Sequence, residues 1–240
     1  MKIEVRRGIR SGFFGVFILV NILNVILGYI LLVSVDHLQN ITFQDLFEST
    51  YAVYTQFGTL LFSTFIIMRF YVDYKEKNIL FFKALGVSAL QYFLFKIAVL
   101  IVISTVGSFI AACLLCLPYL EFTMIPIAFL KIESVMLYYS FFISALAFLI
   151  GDFLKTFFVS FFVWIIGILV SSTSPFMEYF AYYDASNSDN QYFLRYLAEQ
   201  VSEQDFLRRI VENYLYDLGV LVICTIVVVG FRKRWMKNGI

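Results

Sequence analysis

Charge and histidine are scarce in this 240-residue chain: Asp, Glu, Lys and Arg make up 15% of it, and His37 is its single histidine. Soluble domains carry about 25% charged residues. One histidine excludes an H-E-x-x-H zinc peptidase and leaves only His37 as base for any Ser/His dyad. It stands at the end of the first apolar run, where a solvated structural histidine is expected. No Gly-Lys dipeptide occurs, so there is no phosphate-cradling loop of the G-x-x-x-x-G-K-[ST] type and no ATP hydrolysis by that route. Cys113, Cys116 and Cys224 all fall in apolar stretches. Cys113 and Cys116 form a C-x-x-C without a second Cys or His pair, which points to small packing residues rather than zinc. Paired carboxylates in the middle of an apolar run, which a proton-coupled carrier requires, are missing. With three prolines and no Pro/Gly/Ser-rich linker, residues 1–240 read as a single domain. The chain is expected to bind no metal and no cofactor, to catalyse nothing itself, and to have no nucleic-acid partner.

What is abundant is apolar. Hydrophobic residues are 61% and aromatics 20% of the chain, and the mean hydropathy is +0.86. A globule of this length could not hide so much apolar surface, so the bilayer must solvate it. About 20 apolar residues cross a membrane. Such segments are read at 13–35, 51–72, 94–120, 127–151, 155–177 and 213–232. The fold class is therefore all-α and polytopic, with six transmembrane helices. The first apolar run is too long for a cleavable signal peptide and no small-residue cleavage pattern follows it, so it is expected to stay as a helix.

The basic residues orient the bundle. Lys2, Arg6, Arg7 and Arg10 precede the first helix, and Arg69, Lys75, Lys77, Lys83 and Lys96 flank the second connection. Lys155 lies in the fourth, and Arg232, Lys233, Arg234 and Lys237 end the chain. These are fourteen of the eighteen Lys and Arg, and the positive-inside rule assigns them to the cytoplasm together with both termini. Thirteen of the seventeen acids lie at or near the other face.

Two connections are longer than a turn. In 73–93, Ile79, Phe82, Leu85 and Ala89 fall at helical spacing beside Lys75, Glu76, Lys77 and Lys83, the pattern of an amphipathic helix on a membrane surface or a partner. The loop 174–213 opens polar and then becomes periodic from Phe193 to Tyr214, which predicts one or two short helices packed on the bundle. Inside the spans, Asn21 and Asn24 share a face of the first helix. They serve either as interhelical hydrogen bonds or as lining of a substrate path. Asp217 either snorkels to the interface or faces that path. Lys131 and Glu133 read as interfacial anchors, and the 29 Phe and 16 Tyr as aromatic belts.

The connection after the second helix carries a resemblance. Arg69 ends the helix, Glu76 follows in an acidic–basic cluster, ILFFKALGVS supplies an amphipathic turn closing on Gly86 and Ser88, and Lys96 stands eight residues on. This resembles the cytoplasmic segment between the second and third helices of permease subunits of type-2 ABC transporters. Gly86 departs from the proline frequent near that position. Small Phe-rich permeases of bacterial peptide-toxin and bacteriocin-immunity exporters, the phenol-soluble modulin exporter among them, look alike in length and layout. The resemblance implies a plasma-membrane exporter of a hydrophobic or amphipathic peptide, built from two permeases and driven by separate ATPase subunits that hold the ATP and Mg. It also implies that Glu76, Ile79, Phe82, Lys83, Leu85 and Gly86 form the segment that couples to the ATPase. Asn21, Asn24 and Asp217 would then be the candidates for a substrate path. A non-transporting membrane sensor or assembly subunit, or an ion-coupled carrier, is the alternative.

Overall fold

The computed structural model describes residues 12–238. Lys2, Arg6, Arg7 and Arg10 lie outside the described residues. Ten α-helices occur among them: α1 (Phe13–Ser34), α2 (Phe43–Thr55), α3 (Phe57–Lys75), α4 (Asn78–Ala84), α5 (Ala89–Cys116), α6 (Ile125–Ile150), α7 (Phe153–Ser171), α8 (Ser188–Leu197), α9 (Glu203–Gly230) and α10 (Arg232–Asn238). Five of them, α1, α5, α6, α7 and α9, are each long and apolar enough to cross a membrane, and α2 with α3, bent by 46° at their junction, is long and apolar enough to make a sixth when taken as one span. The chain is thus a polytopic membrane protein.

Short polar signals start and stop these helices. Ser88 and Gln91 form a capping box at α5, and Thr42 and Asp45 form one at α2, each satisfying free amides of the first turn. Asp152 and Ser202 cap α7 and α9. The second span begins at Phe43 rather than at residue 51 because the Thr42 box nucleates the helix early, ahead of the uncharged stretch. At Gln56 it breaks. The Thr55 carbonyl beside the break accepts from the Tyr139 hydroxyl at 3.0 Å and the Thr59 hydroxyl at 2.8 Å. Backbone groups released at a kink at membrane depth need such partners.

The spans pack around α6, whose most apolar stretch is 78% buried, against 17% in α7 and 22% in α9. Glycines set two of the closest crossings. A Cβ on Gly28 of α1 would sit 2.8 Å from the Thr50 Cα of α2, and one on Gly107 of α5 would sit 2.5 Å from the Asn21 amide nitrogen. Small residues that let helix backbones approach are a common packing device in membranes. One end of the bundle gathers the start of α1, the α3–α4–α5 connection and α10. There Arg69 lies over the Phe13 ring at 4.8 Å and Trp235 packs on Tyr92 at 5.5 Å. The far end gathers the start of α2, the 175–187 segment, α8 and the start of α9.

Candidate functional site

The connection at the terminus-bearing end folds as a seven-residue helix, α4, between two tight turns. Lys77 enters it in the left-handed region (φ 56°) and Gly86 leaves it there (φ 74°). The Gly86 amide donates to the Lys83 carbonyl (2.9 Å) and the Val87 amide to the Phe82 carbonyl (3.0 Å). That closure uses both the positive φ and the N–H of Gly86, and proline would supply neither. This is the physical reason for glycine at that position.

α4 divides the expected coupling residues between two faces. Ile79 and Phe82 turn inward, buried against the chain itself, with the Phe82 ring 5.3 Å from Tyr92. The resemblance expects these two to offer an apolar face to a partner; in the fold that face is turned onto the chain itself. Three residues point outward instead: Leu80, Phe81 and Leu85, the last two each 56% exposed. Leu85 leaves the face of Ile79 and Phe82 because the helix ends at Ala84. Glu76, Lys83 and Gly86 are also exposed, and Glu76 accepts from Asn78 at 2.9 Å.

Beneath α4 lies a buried ion pair. Asp73 and Lys96 meet at 2.6 Å, and the Tyr92 hydroxyl donates to Asp73 at 3.0 Å. Lys96 also donates to the Arg69 carbonyl at 3.3 Å. The pair ties the end of α3 to the first turns of α5 with α4 strapped across them. Asp73 was missed as a site residue because nothing local marks it as the counter-ion of a lysine 23 positions on.

Asn21 and Asn24 share a face, as their spacing predicts, and both are fully buried inside the chain. The Asn21 amide donates to the Phe17 carbonyl and accepts from Tyr54, both at 2.8 Å. The face is covered by α2 and α5, so within this chain the two asparagines lie in helix contacts. Asn24 makes no side-chain hydrogen bond among the described residues.

The far end holds the densest polar cluster. Asp189, in the first turn of α8, pairs with Lys131 of α6 and with Arg209 of α9, the latter at 3.1 Å. Arg209 also pairs with Glu212 at 3.0 Å, and Lys131 lies 5.1 Å from the Tyr51 ring centre. The Asn213 amide bridges toward Asp189 and sits 2.8 Å from the Tyr182 hydroxyl. Asp217 is buried and accepts from Tyr183 at 2.9 Å, so it does not snorkel. Glu133 accepts from Thr105 at 2.5 Å. Lys131 and Glu133 are therefore interior partners rather than interfacial anchors. Burial pushes the Tyr182 and Tyr183 hydroxyls above the ordinary tyrosine range, which keeps them protonated as donors. A small cavity of about 40 Å³ lies alongside, lined by Thr59, Tyr139, Ser160, Trp164, Tyr183 and Asp184.

The chain resembles a curated protein of the same length class. It is 29% identical over 242 residues to the probable peptide export permease protein YydJ of Bacillus subtilis (strain 168), and the match covers all of both chains. No solved structure matches it. The model of the peptide export permease protein YydJ family matches residues 1–240. A bundle of membrane-spanning helices with this full-length match belongs to the peptide export permease YydJ family.

Proposed function

We propose that this chain is the membrane-spanning half of a peptide exporter whose ATP is hydrolysed by a separate ATPase subunit docked on α4, with both termini on the cytoplasmic side. The observation that carries the reading is α4 itself. It presents Leu80, Phe81 and Leu85 outward beside Lys75, Lys77 and Lys83, while Ile79, Phe82 and the Asp73–Lys96 pair root it in α3 and α5. An exposed apolar patch rimmed by charge suits a protein partner. A rooted turn transmits displacement of that patch to two membrane-spanning helices at once. Two such permeases form the transport unit, and the cargo is a hydrophobic or amphipathic peptide. The burial of Asn21 and Asn24 within one chain favours a peptide path elsewhere than along that face of α1.

The test separates the two faces of α4. Phe81→Asp or Leu85→Asp places a charge on the docking side, where a desolvated unpaired charge costs several kcal/mol. These variants are expected to insert and to purify with a normal melting temperature, but to lose co-purification with a co-expressed candidate ATPase subunit that binds the parent chain. Phe82→Asp is expected to damage the permease itself. Retained ATPase binding by both Phe81→Asp and Leu85→Asp overturns the assignment.

A further inference from the structure

Charge buried between membrane-spanning helices is costly, and it persists where it is paired and used. Among the described residues, the cluster around Asp189 holds the buried ion pairs that ATPase docking does not employ. α8 rests on α9 through rings, with Phe193 and Tyr196 packed on Phe206 at 5.7 and 4.1 Å. Its polar tie to α6 is a single residue: Asp189 pairs with Lys131, whose ammonium also approaches the Asp189 carbonyl at 3.5 Å. Both side chains are 1% exposed. The two cations on Asp189 differ in their dependence on it. Arg209 keeps Glu212 as a second carboxylate at 3.0 Å. Lys131 pairs with no second carboxylate among the described residues.

We propose that the Asp189–Lys131 pair is a releasable clasp, holding α8 closed over the seam between α6 and α9, and that its parting is a step in peptide passage at that end; this last clause rests on the export reading. An ion pair suits a clasp better than an apolar contact does. Closed, its Coulomb attraction offsets the desolvation of both groups. Open, both groups regain hydration, so the two states lie close in free energy. Two leucines in the same places would gain nothing from water and would stay shut.

Ser134 reports on the clasp. It is buried one turn from Lys131, and its hydroxyl donates to the Lys131 carbonyl at 2.9 Å. The experiment uses the full chain in lipid nanodiscs, with Cys113, Cys116 and Cys224 replaced by Ala and Ser134 by Cys, and follows the rate of modification by a charged methanethiosulfonate. Asp189→Asn, which orphans Lys131, is expected to raise the rate about tenfold. The double variant Lys131→Met/Asp189→Leu leaves no charge unpaired and is expected to lower the rate about tenfold below the parent. An unchanged rate in Asp189→Asn overturns the clasp, and so does a rate in the double variant equal to or above the parent's. Should Asp189→Asn fail to accumulate, the double variant decides alone by the same criterion. Neither peptide nor ATPase enters this measurement, so a failure of ATPase docking on α4 leaves its outcome intact.

Discussion

Gly28 and Gly107 both sit where a methyl group has no room, yet they differ in what stands opposite. The Cβ position on Gly107 meets the Asn21 side chain, whereas that on Gly28 meets the Thr50 Oγ1 at 2.5 Å and, behind it, backbone, the Thr50 Cα at 2.8 Å and its nitrogen at 2.9 Å. A side chain can be shortened to make room, and backbone cannot. Gly107→Ala is therefore expected to destabilise the protein in detergent by about 1–3 kcal/mol, and Asn21→Ala should return part of that loss in the double variant. Gly28→Ala should cost at least as much, and Thr50→Ala should not rescue it. Melting temperatures of the four variants and two pairs form the two cycles. At this scale the sequence was half legible. The spacing of Asn21 and Asn24 places them on one face, as observed, but the partner that decides their role, Tyr54, is 33 residues away. Lys131 and Asp189 are 58 apart. Periodicity carries local geometry and says nothing of which distant charge completes a pair, so Lys131, near the start of its span, looked like an anchor.

Among the elements, α4 is the one whose shape depends most on a single residue. Gly86 holds a positive φ of 74° while its amide and that of Val87 close the helix end. A β-branched residue there costs roughly 1–3 kcal/mol in strain, and the cost falls on the turn rather than on the bundle. Gly86→Val is expected to leave the melting temperature within a few degrees of the parent. Amide exchange at positions 86 and 87 should quicken about tenfold, following the local opening free energy. Gly86→Asn, which tolerates the left-handed region, should exchange close to the parent rate. The amphipathic character of this stretch was legible from spacing alone, and its two faces were not. Helical spacing groups Ile79, Phe82 and Leu85, but the helix stops at Ala84 and sends Leu85 outward. A seven-residue helix is governed by its ends, and a turn that needs glycine is harder to read than an apolar period. The break between α2 and α3 carries the same lesson, since Gln56 and Gly58 are the sole local marks of it in a stretch read by its hydropathy.

For the molecule as a whole, hydropathy made the spans visible, because a bilayer imposes length and composition on each crossing separately. Orientation follows from charge. If the fourteen basic residues direct their segments to the cytoplasm, as proposed above, a cysteine at Ser188 is expected to react with an impermeant thiol reagent in whole cells lacking the native cysteines. One at Lys75 should react only after the membrane is opened. Both side chains are exposed in the fold, so burial does not confuse the comparison, and equal labelling in intact cells contradicts the orientation. The buried pair at the far end bears also on how the molecule is made. Lys131 leaves the ribosome 58 residues ahead of the carboxylate that neutralises it, and Arg209 follows later still. Until Asp189 arrives, an ammonium one to two turns inside α6 is held toward the headgroups. A truncation ending before α8 is therefore expected to leave the Lys131 charge uncompensated and the central helix at a shallower depth, which accessibility labelling along α6 in the truncated and full chains would read.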